Sequence, residues 1–233
     1  TGTNVSDNQW HHIAGTYDGV MMRIYVDGRL AGTQAATSAL SSNSIPVEIG
    51  GHCDGGGSCS GPCYWNGQID EARVYNRALP DDEVSQLYRL NVPTGTDTSL
   101  KGYWRFNGQD VSGTTAYDRS GSGNNGTLTN GPTPARGKVG QALNFVAASE
   151  TLVDVPNTTS IDLVGTMTVS AWVKLGTDNA SNQRLLTKGT SDGYHLYWLS
   201  GGELAFGNST GFKKTVAIYS ATDGWIHVTA TYD

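Results

Sequence analysis

No apolar run in this 233-residue chain approaches the roughly 20 residues that a membrane-spanning helix needs. Positive charge is also scarce, with 15 Lys and Arg against 21 Asp and Glu and a formal net charge of −6. That balance gives no electrostatic case for binding nucleic acid or an anionic membrane. Charged residues of both signs make up only 15% of the chain while glycine reaches 31 residues, a composition too poor in helix formers for long helices. No leader peptide is recognisable, which decides nothing, because one can lie upstream. Cysteine is confined to three residues of one glycine-rich loop, Cys53, Cys59 and Cys63. A local disulfide closing that loop is the favoured reading and implies an oxidising compartment; three cysteines leave one over, free or paired with another chain. Zinc held by His52 and the cysteines is disfavoured, because the spacing lacks paired C-x-x-C knuckles. Five Asn-x-Ser/Thr sequons, at Asn4, Asn125, Asn157, Asn179 and Asn208, are compatible with export and show little more.

What the chain has in abundance is alternation. From Met167 to Leu175 the odd positions are apolar and most even positions polar, the pattern of a strand with one buried face. Val20 to Val26 runs into Asp27-Gly28, a type I′ hairpin signal, and returns through Arg29. Further strands are expected around 45–49, 66–75, 101–106, 141–146, 151–155, 183–187, 194–199 and 203–207. One short helix is expected near 80–90. Pro80 suits a first turn, Asp81, Asp82 and Glu83 complement the dipole, and Val84, Leu87 and Tyr88 share a face. Polar 93–98, holding Pro and Gly, reads as a linker between 1–92 and 99–233.

One strand occurs twice. Residues 10–18 and 225–233 agree at five of nine positions, at an offset of 215 residues. Such recurrence suggests one period of a longer tandem array.

Several stretches resemble laminin-G-like modules of the concanavalin A-like lectin/glucanase superfamily. Gly102–Asn107, Tyr117–Gly126, Gly137–Phe145 and Val169–Val173 look like the first half of such a module. Trp10–Tyr17, Ile24–Gly28 and Asn66–Leu79 look like its middle and end. The halves stand in reversed order, so the chain either crosses a repeat boundary or is a circular permutant. The resemblance implies an all-β, two-sheet antiparallel jelly roll in which the first and last strands are neighbours.

The loop Asp118–Asn125 places oxygen-bearing side chains at alternate positions, which suits a hard cation that takes six to eight oxygens. Resemblance adds the Asp of the strand Ile69-Asp70-Glu71. Calcium held by Asp70 and Asp118, with Asn125, is therefore the expected cofactor, against an Asx-turn loop without metal. Gly121–Gly126 fits a dinucleotide fingerprint but has no strand–helix unit around it. Gly189–Gly193 fits a nucleophile elbow, yet a strand follows in place of a helix, so it reads as a hairpin turn. The paired carboxylates of the glucanase relatives are missing, and Glu48, Glu150 and Glu203 read as scattered singles, so no catalytic residues are expected. Tyr64, Trp65, His195, Tyr197 and Trp198 form a candidate glycan platform, although core packing is the stronger reading. His12 and His227 recur at equivalent positions and read as structural strand residues.

The expectation is a non-catalytic extracellular or surface module. Its partners are neighbouring copies of the same repeat, assembled head to tail into a filament, or glycans, as a binding module of a larger glycoside-active enzyme. Neither nucleic acid nor membrane insertion enters this reading.

Overall fold

The computed structural model describes residues 7–36, 40–51, 63–90, 97–176, 182–189, 193–199, 202–207, 213–214 and 229–232. In chain order the strands are β1 (His11–Tyr17), β2 (Met21–Val26), β3 (Arg29–Ala35), β4 (Val47–Ile49) and β5 (Gly67–Tyr75), followed by helix α1 (Asp81–Tyr88). Then come β6 (Leu100–Trp104), β7 (Val111–Ser112), β8 (Thr115–Ala116), β9 (Gly126–Thr129), β10 (Thr133–Arg136), β11 (Gln141–Phe145) and β12 (Leu152–Val155). The last are β13 (Met167–Leu175), β14 (Gln183–Lys188), β15 (His195–Trp198), β16 (Leu204–Gly207), β17 (Lys213–Lys214) and β18 (Thr229–Tyr232).

These strands form two sheets. The first runs β10-β11-β5-β13-β1-β18-β2-β3, with β6 also paired to β5, and the second runs β17-β16-β15-β14-β4-β12-β9-β8-β7. An all-β two-sheet sandwich with one short α-helix is therefore the observed class. The two halves of the sequence interleave within it. β13 lies between β5 and β1, and β4 lies between β14 and β12. Residues 91–96, most of the expected linker, fall outside the described residues.

The alternation in the sequence sets the two faces. Ile13, Ile69, Val74, Val169, Ala171 and Val173 of the first sheet meet Val47, Ile49, Val153, Val155, Leu186, Leu196 and Phe206 of the second in one core. The sheets approach closely at Gly15, where an added Cβ would stand 2.7 Å from the Phe206 ring. The hairpin expected at Asp27-Gly28 is present, with φ of 47° and 80° and Val26 paired to Arg29. β14 and β15, which flank the expected hairpin turn at 189–193, pair antiparallel; residues 190–192 of that turn lie outside the described residues.

Helix α1 begins after Pro80, whose carbonyl accepts from Val84 N at 3.1 Å. It buries Val84 and Leu87 on the outside of the first sheet, in a second apolar cluster with Ala14, Tyr25, Tyr75 and Leu79. Full burial of one leucine of this kind contributes about 1.5–3 kcal/mol.

β18 has an unusual position. β1 and β2 pair only at Ile13–Val26 and Ala14–Tyr25, and β18 enters where they diverge. It runs parallel to β1, with Gly15, Thr16 and Tyr17 opposite Ala230, Thr231 and Tyr232. These are the matching positions of the two copies of the repeated strand, so the copies lie side by side in register.

Candidate functional site

Alternation about the core leaves Asp70, Arg73 and Tyr75 of β5, Ser170 and Trp172 of β13, and His12 and Ala14 of β1 on the outer face of the first sheet. His12, Trp172 and Asp70 stand in one cross-strand row, and all three are buried. The row is roofed. The Trp172 ring stacks with Tyr88 of α1 at 5.5 Å and carries Lys138 Nζ 4.0 Å above its centroid. A bulge interrupts β5 here, where the pairing with β13 shifts and Glu71 takes φ of 54°. It separates the part of β5 paired to β11 from the part paired to β6.

The carboxyls on either side of this break have different partners. Glu71 is buried and accepts from Tyr103 Oη at 2.5 Å and from the Arg73 guanidinium, which also lies 4.2 Å over the Tyr103 ring. Asp70 Oδ2 accepts from Val139 N at 2.9 Å, while its Oδ1 is buried with no hydrogen-bond partner. Burial disfavours the charged form, and with Glu71 adjacent the Asp70 carboxyl is pushed up to about 7.

Asp118 is engaged elsewhere. Its Oδ1 accepts from Tyr103 N and Ser120 N, and its Oδ2 from Ser120 Oγ and Asn124 N, at 2.8–2.9 Å. Asn125 Oδ1 accepts from Asp118 N. The loop is thus wound around its own carboxylate, tying 118–125 to β6. The calcium expected from Asp70, Asp118 and Asn125 does not fit this arrangement. Asp118 has its oxygens filled by four N–H and O–H donors, and Asp70 is held by the turn before β11. Among the described residues no three His, Cys, Asp or Glu side chains group as metal ligands.

The outer face of the second sheet is built differently. Val153 and Val155, Val47 and Ile49, and Leu186 and Leu196 point into the core. Their neighbours Asp154, Glu48, Thr187 and His195 therefore point outward, and the register sets Thr127, Asp154, Glu48, Thr187 and His195 in one row across five strands. Beside it Tyr64, Arg184 and Tyr197 form a second row. Arg184 Nη1 donates to His195 Nδ1 at 3.1 Å, which places the remaining ring proton on Nε2. Glu48 and Asp154 stand directly opposite each other on adjacent strands, an arrangement that is unfavourable for like charges. Partial burial and the Glu48 charge both push the Asp154 carboxyl above its ordinary value.

This changes the glycan platform. Trp65 and Trp198 are completely buried in the main core, because their positions in the alternation face inward, so they present nothing to a ligand. Tyr64 and Tyr197 are partly exposed, and His195 is buried beside Arg184 on the same outer face. Tyr197 is held to its phenol form by burial. Sequence reasoning missed Glu48, Asp154, Thr187 and Arg184. Each strand shows its outward position in the alternation, but only the β4–β12 and β4–β14 pairings bring them together. Cys63 is buried, and its carbonyl accepts from Arg184 N at 2.9 Å; Cys53 and Cys59 lie outside the described residues.

A family model of the concanavalin A-like lectin/glucanases superfamily, of the laminin G type, matches residues 1–85 and 147–233. Those segments span most of the chain. The chain belongs to this superfamily. No curated protein and no solved structure matches it. Membership points to a module that binds carbohydrate or another ligand, or mediates adhesion, in a family that is generally non-catalytic. No helix among the described residues is long and apolar enough to cross a membrane.

Proposed function

We propose that this chain is a non-catalytic extracellular binding module that takes an extended glycan across the outer face of its second sheet. The observation that carries this reading is the pair of polar rows there. Glu48, Asp154 and Thr127 offer acceptors and hydroxyls, and Tyr64 and Tyr197 offer ring faces at spacings set by the ~4.8 Å separation of strands. Among the described residues the outward row His12, Trp172 and Asp70 of the first sheet is covered, by α1, Lys138 and the turn at Val139. A glycan array on the intact chain, followed by titration of the hits against Tyr197→Ala and Glu48→Gln, tests the reading. Loss of binding in both variants supports it. Binding that survives both, or an array without hits, removes it. A disulfide through Cys63 and a secreted setting belong to the same proposal. Alkylation of denatured protein with and without prior reduction tests the disulfide: two cysteines that are labelled only after reduction support it, and equal labelling of all three in both samples removes it.

A second reading, head-to-tail assembly of copies, is favoured by the in-register pairing of β18 with β1. Simple replacement of β1 by residues 225–233 of a neighbour is opposed by packing. The copy carries Ala230 where β1 has Gly15, and a Cβ there meets Phe206 at 2.7 Å. Assembly through this strand therefore uses the slot beside β1. Light scattering distinguishes the outcomes: open-ended oligomers support assembly, and a monomer near the sequence mass of 24.7 kDa removes it.

A further inference from the structure

We infer that Lys188 and Asn43 join in an intramolecular amide bond, formed with the help of Asp162, that ties residues 1–92 covalently to 99–233. Lys188 ends β14 in the inward phase of Leu186 and is only 1% exposed. Its Nζ donates to Asn43 O at 3.0 Å, Asn43 Oδ1 at 3.1 Å and Ile45 O at 2.8 Å, and Asp162 Oδ1 lies 3.2 Å away. An amine, a primary carboxamide and a carboxylate from three separate segments thus meet at one end of the β4–β14 pair.

The carboxamide is held for attack. Ile45 N also donates to Asn43 Oδ1, at 3.1 Å, and that N–H stays in reach of the charge that develops on the oxygen. Asn43 Nδ2 faces Gly189 and Gly193, where an added Cβ would stand 2.7 and 3.3 Å from it, and it donates no hydrogen bond among the described residues. The backbone beside it is fixed, since Asn43 O accepts from Asn157 Nδ2 at 3.0 Å while Asn43 N and Ser42 Oγ donate to Asp162. Such positioning turns a two-body reaction into a one-body reaction. Burial lowers the Lys188 pKa further than Asp162 raises it, which brings the neutral amine closer. Burial raises the Asp162 pKa, but hydrogen bonds from Ser42, Asn43 and Lys188 lower it by more, so the carboxylate is ionised and can take a proton. It is a weak base, so the reaction is slow, but each molecule needs a single turnover. Asp162 takes one proton from the Lys188 ammonium, and the neutral Nζ adds to Asn43 Cγ. A second Nζ proton passes to Nδ2 and the Cγ–Nδ2 bond breaks. Asp162 returns its proton, and the nitrogen leaves as ammonium. No oxidant or co-reactant is needed, and the bond does not rest on the glycan reading.

The full chain is incubated under native conditions until its mass no longer changes, then reduced, alkylated, weighed and digested with trypsin. The expected deficit against the sequence mass is one ammonia, about 17 Da. Trypsin passes an acylated Lys188, so residues 30–73 should be released joined to 185–213. Lys188→Arg should abolish the branched peptide, and Asp162→Asn should lower its yield at least about tenfold. Circular dichroism confirms that both variants fold, and the wild-type map decides even if they do not. Full sequence mass with a free 185–188 peptide overturns the inference and leaves Lys188 as an ammonium clamp. A 17 Da deficit without the branched peptide, as a succinimide at another asparagine gives, also overturns it, as does an unchanged yield in folded Asp162→Asn.

Discussion

On the first sheet the large outward side chains are packed or paired within the chain, although Asp70 Oδ1, Thr16 Oγ1 and Ser170 Oγ stay buried and unbonded beneath the cover. Glu71 has Arg73 and Tyr103, Trp172 has Tyr88 and Lys138, and Ala14, Tyr25 and Tyr75 lie under α1. On the second sheet the corresponding row sets Asp154 directly opposite Glu48 and leaves Asp154 Oδ1 and Thr187 Oγ1 unbonded. Both faces come from the same alternation. The difference lies in what the chain lays over them. A short helix and the turn at Val139 roof the first, and no described element does the same over Glu48 and Asp154. A polar face that is roofed becomes structure, and one left partly exposed is available to a ligand.

Removing an internal partner from the roofed face should have the largest effect. Arg73 and Glu71 are both almost fully buried, so Arg73→Met leaves an uncompensated buried carboxylate and is expected to cost about 3–5 kcal/mol in denaturant unfolding. The double variant Glu71→Gln/Arg73→Met should recover most of that loss. If the double variant is as unstable as the single one, packing of the arginine stem matters more than its charge, and the contrast between the faces weakens.

Lifting the roof comes next. Leu87 is buried in the peripheral cluster under α1, and Leu87→Ala is expected to cost about 2–3 kcal/mol, low in the range for buried leucines because this cluster is small. Tyr88 should lose its place over Trp172, and indole fluorescence should shift to the red. A loss below about 0.5 kcal/mol would mean that the helix covers the sheet without stabilising it.

The roofed face also predicts a pH dependence. The folded Asp70 carboxyl titrates at about 7, against 3.8 when unfolded, so the unfolded chain releases its proton first. Stability from this group is complete below about pH 3.8 and falls as pH rises towards 7. At 1.36 kcal/mol per unit the ceiling is about 4 kcal/mol, and relaxation of the turn at Val139 should hold the measured loss nearer 1–2. Asp70→Asn cannot ionise and should flatten the stability profile over this window. His11 acts in the same direction at higher pH. Burial lowers its pKa, but Asp27 at 3.1 Å and Asp7 at 3.0 Å raise it by more, so its contribution is complete below 6.5 and lost as pH climbs through the raised value. An unaltered profile in Asp70→Asn would show that this carboxyl ionises without cost.

Much of this organisation is legible in the sequence, and the failures have physical causes. Strict alternation in β13, the Asp-Gly turn after Val26 and the acidic first turn of α1 are local signals, and each element is found where expected. The bulge at Glu71 is not legible, because a left-handed residue inside a strand is set by the junction of β6 and β11 on β5, which is non-local. Glu48 and Asp154 read as unrelated singles for the same reason. Trp65 and Trp198 follow the stronger of their two readings: their phase in the alternation sends them into the core, and of the glycan candidates only Tyr64 and Tyr197 stay partly exposed.

The smallest expected effect is on the open face and has the opposite sign. Asp154→Asn removes one of two opposed like charges and a carboxylate whose charged form burial already disfavours, so stability at neutral pH should rise, where nearly every other core or sheet substitution lowers it. Cross-strand pairs of this kind contribute about 0.2–1 kcal/mol, and solvent screening of these partly exposed groups holds the gain to the lower part of that range. In wild type the Asp154 carboxyl stands above its ordinary value, raised by burial and then by the Glu48 charge, which a carbon-detected NMR titration reads directly; Glu48→Gln should move it back. An Asp154→Asn variant less stable than wild type would show that the carboxylate is worth more to the fold than the repulsion it brings, and the contrast between the two faces would then rest on their cover alone.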